Sequence, residues 1–267
     1  MADSLCSGLC DAILGESGSQ AMLERLDNQR LFIVPLDHQR QWYRYHHLFV
    51  DLLRHHLSQT YPEQIPLLHR RASMWFEQHD RLEDAIRHGL KGQGFERTAD
   101  LIEAVFQRRD WVHRDMRRLL EWFEALPETV TRARPKLELG YAWLLLEIFA
   151  DQWDRIEAHL SHVETSLTAP GASASFTEQD TRSMLAEVDL LRANHARHAG
   201  EPARVIALCQ QALDRLPDHE IYLRSGATAH LASAYEDLGN MARPTRFTPK
   251  VCACAGLPTR AAFPEIS

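Results

Sequence analysis

The sequence predicts a mainly α-helical protein with a small β-hairpin near its N-terminus. From residue 63 onward, apolar residues recur with the 3.6-residue period of amphipathic helices in almost every segment. Before that point, the apolar run from Leu31 to Val34 and the aromatic run from Trp42 to Tyr45 flank a polar segment. Such a pair of runs is typical of two antiparallel strands. The two patterns together indicate a hairpin followed by a long helical array.

The N-terminal segment predicts the order helix, strand, turn, strand, helix. Residues 20–29 carry apolar side chains at helical intervals, and the hairpin covers residues 31–45 with a loop of about five residues. Leucines and a phenylalanine between residues 48 and 57 then trace a second amphipathic helix. This order resembles the latter part of a winged-helix domain. Residues 1–60 are therefore predicted to form a winged-helix-like portion.

The region from residue 61 to 242 is predicted to form a tetratricopeptide-like superhelix. Gly200, Ala212 and Pro217 match the second helix of that repeat, and Tyr235 and Gly239 match the end of a first helix. An irregular helical array predicts much the same fold and stays open as an alternative. The predicted helices lie near residues 64–79, 82–91, 95–108, 113–125, 136–150, 153–167, 181–199, 202–215 and 221–238.

The last segment, residues 243–267, follows a different pattern. It contains four prolines and has no helical period. It is predicted to be an irregular tail, which is either disordered or the product of a frameshift.

Composition limits the classes of protein to be considered. The chain has 267 residues, 45% hydrophobic and 25% charged, with a net charge of −7, which is the profile of a globular protein with one or two cores. No apolar stretch is long enough to cross a bilayer and no N-terminal signal is recognisable, so a cytoplasmic protein without membrane contact is expected. The acidic balance gives no reason to expect direct nucleic-acid contact. Five cysteines without paired CxxC spacing predict free thiols.

Two groups of histidines have spacings that metal ligands could share. His47, Asp51 and His55 lie at i, i+4 and i+8 of one predicted helix, but the spacing is not specific, and histidines on a polar face or interface are favoured. His79 and Asp80 have the order of the dyad in helical metal-dependent phosphohydrolases. That dyad lies within a helix, whereas here the helical period breaks, so a turn and N-cap role for Asp80 is favoured. We expect no metal site, and a metal-dependent hydrolase is the least favoured hypothesis.

Other enzyme signatures are missing from the sequence. It has neither a GxSxG nucleophile motif nor a GxxxxGK[ST] phosphate-binding loop. Aromatic residues that line ligand grooves in other proteins are expected mostly on core faces here, because their spacing is helical. The sequence therefore predicts a protein that is not an enzyme, with no catalytic residue and no cofactor of its own.

Three runs carry a family resemblance. They are LERLDNQRLFIVPLDHQRQWYRYHHLFVDLLRHHL, LHRRASMWFEQHDRLEDAIRHGLKGQGFERTADLIE and LLEWFEALPETVTRARPKLELGYAWLLL. Together they resemble the central part of the MalT-type ATP-dependent transcription activators, large bacterial regulators of the LuxR class. The resemblance covers roughly residues 5–242. In that family, a signal-transduction ATPase module ends in a winged helix, a helical sensor binds an inducer, and a C-terminal helix-turn-helix binds DNA.

The resemblance implies a regulator fragment that contributes signal sensing and interaction, without its own ATPase or DNA-binding domain. It implies a small-molecule inducer or a protein partner at the helical-repeat region, and self-association. ATP or ADP is implied only for an intact regulator, where His46 or His47 would contact the phosphates of ADP. A stand-alone helical-repeat scaffold that binds a partner protein is the alternative hypothesis.

Overall fold

The computed structural model describes residues 4–107, 115–149, 151–169 and 176–239. The side chains of residues 47 and 48 lie outside this description. The chain divides into two compact units, residues 1–133 and residues 134–267. Each unit is described by itself below. The predicted domain limits 1–60, 61–242 and 243–267 stay predictions, and the last of these segments lies outside the described residues.

The first unit is mainly helical, with one small sheet. Its described elements are α1 (Ser7–Leu14), α2 (Ser19–Asn28), β1 (Ile33–Pro35), β2 (Tyr43–Tyr45), α3 (His47–Thr60), α4 (Ile65–Gln78), α5 (Leu82–Lys91), α6 (Phe95–Gln107), α7 (Met116–Glu124) and α8 (Glu128–Arg132). A single 3₁₀ turn, Pro62–Gln64, separates α3 from α4. The predicted fold class is confirmed.

The predicted hairpin is present, with short strands. β1 and β2 pair antiparallel, with Ile33 opposite Tyr45 and Pro35 opposite Tyr43. Leu5 extends the sheet on the other side, since it exchanges both backbone hydrogen bonds of 2.8 Å with Tyr43. The carboxylate of Asp37 accepts hydrogen bonds from the backbone N–H groups of Gln41 and Trp42, at 2.9 and 2.8 Å. This Asx-type capping holds the loop between the strands.

Helices α4, α5 and α6 pack closely because small residues lie at their contacts. A Cβ placed on Gly89 would lie 2.2 Å from the Thr98 Oγ1 of α6 and 3.2 Å from the Ser73 Oγ of α4. A Cβ on Gly92 would lie 2.9 Å from the backbone nitrogen of Arg70. The approach of α5 to both neighbours therefore requires glycine at these positions.

The second unit contains five described helices around an apolar core. They are α9 (Pro135–Ile148), α10 (Trp153–Thr168), α11 (Glu178–His198), α12 (Pro202–Arg215) and α13 (Ile221–Asp237). Alanine, leucine and valine side chains from α11, α12 and α13 form one buried cluster. Small residues at these contacts bring paired helices together, as in helical-repeat proteins.

The predicted helices agree with the observed ones, mostly to within about three residues, the margin expected for helix ends. Two helices, α1 and α8, were not predicted. Both are short, with 8 and 5 residues, and such segments carry less than three turns of periodic pattern. Residues 170–175, between α10 and α11, lie outside the described residues.

Left-handed residues end several helices of both units. Asp80 and Gln93, each with φ of 55°, lie in the turns before α5 and α6, and Gly200, with φ of 72°, lies between α11 and α12. Gly239, with φ of 68°, follows α13. Only glycine adopts this conformation without steric cost. The predicted repeat glycines thus terminate helices.

Replacing Gly200 with alanine is expected to lower the free energy of unfolding by about 1 kcal/mol, because its φ of 72° is strained for an L-residue. Gly226 lies inside α13, where a Cβ would meet nothing within 4 Å. Gly226→Ala is the matched control and should raise stability by about 0.5 to 1 kcal/mol. Urea denaturation of both variants measures this, and a stabilising Gly200→Ala would contradict it.

Among the described residues, no helix has the length and apolar content needed to cross a membrane.

Candidate functional site

His46 lies at the junction between the hairpin and α3. It is the N-cap residue of α3, and its backbone N–H donates to the carbonyl of Phe32 at 2.7 Å. Its own carbonyl accepts from the N–H of Phe49 at 2.9 Å, and the rings of Phe32 and Phe49 stack at 4.6 Å. The side chain of His46 is exposed. The backbone of this residue is therefore fixed, at a residue that lies on the surface.

The second predicted phosphate contact, His47, begins α3, and its side chain lies outside the description. Asp51 and His55, which share its predicted helix face, are both exposed, and Asp51 lies 3.5 Å from Arg54. No group of three or more histidine, cysteine or acidic side chains with metal-binding geometry occurs in the described ranges.

His79 and Asp80 form a turn. The His79 ring stacks on Trp75 with centroids 3.8 Å apart, and its Nδ1 lies 2.8 Å from the carbonyl of Trp75. Asp80 takes the left-handed conformation, but the N-cap of α5 is Arg81 and not Asp80. The predicted turn role is thus confirmed, and the predicted N-cap role is wrong by one residue, because the turn uses Asp80 for its positive φ.

The aromatic residues on the helices divide into two groups. Phe76, Trp122, Phe123 and Tyr141 are buried, as their helical spacing predicts. Trp75, Trp143, Phe149 and Trp153 are half-buried, and Trp111 lies outside the described residues. Half-buried aromatic rings have one edge available for a ligand.

A charged cleft of about 530 Å³ lies along α5 and α7. Its arginines pair with carboxylates inside the cleft: Arg118 lies 2.6 Å from Glu83, and Arg81 lies 2.6 Å from Asp84. Arg87 also pairs with Asp84. Since these cations are already paired, the cleft is a weak candidate for binding an anion.

A smaller, apolar cavity lies among α1, α3, α4 and α5, and is called the α1–α4 cavity here. Its volume is about 230 Å³. Aliphatic side chains make most of its walls: Leu5, Ile13, Leu14, Leu57, Ile65 and Leu68. Cys10, Tyr45, Ala72, His69 and His88 complete the described lining. Burial raises the pKa of the Cys10 thiol to about 11, so it stays uncharged at neutral pH. The cavity is therefore largely apolar, with two imidazoles in its wall.

The two imidazoles are hydrogen-bonded to each other. His69 Nδ1 and His88 Nδ1 lie 3.0 Å apart, so one ring donates its N–H and the other accepts. His88 is 3% exposed and packs against the ring of Phe76, with centroids 5.2 Å apart. Burial lowers the pKa of His69 to about 4, and burial together with His69 lowers that of His88 to about 3. Both rings are neutral at pH 7.

Sequence reasoning did not find this pair. His69 and His88 lie on different helices, and α1, which supplies Cys10 and Ile13, was not predicted. A signal was nevertheless present, because His88 shares the apolar face of α5 with Ala85. A histidine on the apolar face of a helix is expected to be buried when the helix packs against the core.

Comparison with known proteins places these elements in a family. The family model described as the MalT winged helix domain matches residues 1–65. The chain is MalT-like, with a winged helix domain of that family at residues 1–65. The resemblance stated from the sequence is thereby confirmed.

The curated relatives of this MalT-like chain are much longer proteins. The HTH-type transcriptional regulator MalT of Serratia proteamaculans is 30% identical over 244 residues, which is 90% of this chain and 26% of that protein. The serine/threonine-protein kinases PknK of Mycobacterium tuberculosis and Mycobacterium bovis are 30% identical over 213 residues, which is 80% of this chain and 18% of those proteins. No solved structure matches.

The PknK similarity corrects one prediction. The sequence predicted a protein that is not an enzyme, and this is contradicted by a similarity to named protein kinases over 80% of the chain. The prediction rested on motifs within this sequence. A helical segment of this kind also occurs in proteins whose name states an enzymatic activity.

The helical region of the MalT-like chain carries a half-buried polar face on α9, α10 and α11. Trp153 stacks on His195 with ring centroids 3.8 Å apart and an interplanar angle of 4°. Arg192 bridges two carboxylates of α10, Glu157 at 2.6 Å and Glu164 at 3.0 Å. The Nε1–H of Trp143 donates to a Glu187 carboxylate oxygen at 3.3 Å. Aromatic and charged side chains therefore pair with each other where these helices meet.

Proposed function

We propose that this chain is the winged helix and adjoining helical sensor of a MalT-like regulator, and that it contributes signal sensing and interaction. The observation that carries the proposal is the MalT winged helix match at residues 1–65. A helical array follows directly, and similarity to a MalT protein extends over 90% of the chain. The protein would act in the cytoplasm.

The half-buried polar face of the second unit supports a sensing role. The stacked rings of Trp153 and His195 are half-buried and provide an aromatic surface that an inducer or a partner protein could contact. A ligand acts as a signal only if it binds two conformations with different affinities. Switching between an ADP-held form and an open, self-associating form is the mechanism proposed for the longer regulator.

The position of His46 supports a nucleotide contact in such a longer protein. The residue lies on the surface, and its backbone is anchored between Phe32 and Phe49. We propose that His46 or His47 donates a hydrogen bond to a phosphate oxygen of ADP held by a nucleotide-binding domain. An imidazole donor on a rigid backbone suits this contact.

The DNA on both sides of this coding sequence tests the proposal. When this DNA is translated in all reading frames, we expect it to encode a Walker A loop before this segment and a helix-turn-helix after it. In that longer protein, His46→Ala or His47→Ala should release ADP about tenfold faster, since a charge-assisted hydrogen bond contributes roughly 1.5 kcal/mol. Fluorescent ADP displacement measures the rate.

The exposed loop residue His38 provides the control, because His38→Ala should leave ADP release unchanged. A protein kinase domain in the adjoining DNA would instead favour the second candidate, a sensor segment of a PknK-like kinase, to which 80% of the chain is similar. If neither arrangement is encoded, the regulator proposal fails and a stand-alone scaffold is favoured.

A further inference from the structure

The α1–α4 cavity has the size of a small-molecule site. Its volume is about 230 Å³, whereas an apolar cavity of about 150 Å³ in another protein holds benzene. The space therefore suits a six-membered ring with one or two small substituents. The space is partly open to solvent, so a molecule of this size can enter it.

The lining selects against charged ligands. Among the described residues that line the cavity, none is an aspartate, glutamate, lysine or arginine. Transferring an ionised group from water into such surroundings without a counter-charge is strongly unfavourable. The thiol of Cys10 and the two imidazoles are uncharged at neutral pH. A neutral molecule is the occupant that these walls favour.

The imidazole pair adds one directional polar feature. The shared Nδ1–Nδ1 hydrogen bond fixes opposite tautomers, so one Nε2 carries a hydrogen and the other has a free lone pair. Neither Nε2 has a hydrogen-bond partner among the described residues. The pair can therefore offer either a donor or an acceptor to a hydroxyl group.

We propose that the α1–α4 cavity binds a small, uncharged, mostly apolar molecule that carries one hydroxyl group, such as a phenol or a cyclic alcohol. The hydroxyl lies against the His69–His88 pair and the ring contacts the leucines of α1, α3 and α4. Because the cavity is walled by both the winged helix elements and α4, a bound ligand stabilises their packing. The proposal does not depend on the regulator proposal, because variants of the cavity lining, which lies within residues 5–88, assign the binding to this cavity.

Calorimetric titration of the full chain with phenol, toluene and benzoate tests the proposal. Phenol is expected to bind at pH 7 at least tenfold more tightly than benzoate, which has a similar ring but a charge. His69→Leu should weaken phenol binding by about tenfold and leave toluene binding unchanged or tighter, because only phenol uses the imidazole pair.

Two variants reduce the cavity in different ways. Ala72→Leu adds volume at a fully buried wall position, and Leu14→Trp narrows the rim at a residue that is 60% exposed and so tolerates the change. Each is expected to weaken phenol binding at least tenfold. Ala21→Leu, on the exposed surface of α2, is the matched control and should leave binding unchanged.

Each of the following results would overturn the proposal. They are no phenol or toluene binding to the wild-type chain, equal binding of phenol and benzoate, and unchanged phenol binding in Leu14→Trp once it is shown to fold by circular dichroism. A further contrary result would be a chain that dimerises, binds none of the probes, and loses its dimer when Leu14 is replaced by tryptophan. The rim of the cavity would then be the contact surface for a second copy of the chain.

Discussion

Acidification from pH 7 to pH 5 is expected to lower the free energy of unfolding of the first unit by about 2 kcal/mol for each histidine of the His69–His88 pair. Folding lowers the pKa of His69 to about 4 and that of His88 to about 3, chiefly through burial. In the unfolded chain, both imidazoles titrate near pH 6.5. Below that pH the unfolded state binds protons that the folded state does not. The contribution of the pair to the free energy of unfolding is therefore fully present above about pH 6.5 and decreases as the pH falls towards about 4.

Urea denaturation at pH 7, 6 and 5, combined with hydrogen exchange of α4 and α5, measures the effect. The exchange readout is needed because the second unit titrates as well. Burial raises the pKa of Asp189 to about 6, although Arg215 lies 2.5 Å away and opposes this shift. Between about pH 6 and 4 the folded state therefore binds a proton that the unfolded state does not, so acidification stabilises the second unit through Asp189. Burial also lowers the pKa of His230 in that unit to about 4.

The double variant His69→Leu, His88→Phe should remove most of the pH dependence in α4 and α5. His38→Gln is the control, because it removes an exposed histidine of the hairpin loop, outside α4 and α5. A wild-type protein whose α4 and α5 protection is the same at pH 7 and pH 5 would contradict the prediction.

Gly89→Ala is expected to destabilise the first unit by about 2 kcal/mol. The added methyl group would lie 2.2 Å from Thr98 Oγ1, and Thr98 is 1% exposed with its hydroxyl donating to the Gly94 carbonyl at 2.8 Å. Overpacking costs about 1 to 3 kcal/mol and the lost hydrogen bond about 1. The higher helix propensity of alanine offsets only about 1 kcal/mol.

Thr98→Ala should act as a suppressor, since it removes the atom that the new methyl group meets. The double variant is therefore expected to be less destabilised than the sum of the two single variants by at least 1 kcal/mol. Gly8→Ala in α1 is the matched control, because its Cβ would meet Trp75 at an ordinary 3.5 Å. Additive effects of Gly89→Ala and Thr98→Ala would exclude the proposed contact.

The helical part of the fold was largely predictable from the sequence. The helical period of the apolar residues predicted the ends of helices such as α5 and α12 to within one residue. Each of these helices has one apolar face and is bounded by a turn residue. The hairpin was predictable from its aromatic alternation, and so was its loop of about five residues, which the hydrogen bond from the Leu36 N–H to the Trp42 carbonyl closes. Short α1 and α8 were missed because few residues carry their pattern.

The candidate site was less predictable. His46 and His47 were found from the order of elements and the family resemblance. The His69–His88 contact joins two helices, and nothing local to either residue shows that their rings meet at 3.0 Å. The same holds for Gly89, whose need for glycine comes from Thr98 on the next helix.

The sequence by itself determined the helical periods, the hairpin and the resemblance to MalT-type regulators, because each depends on residues that are neighbours along the chain. Only the tertiary structure decided that His69 and His88 are buried, neutral and hydrogen-bonded to each other, and that the α1–α4 cavity forms beside them. Burial and close packing arise from segments that are distant in sequence. Their effects on pKa and volume therefore follow only once α1, α3, α4 and α5 are packed together.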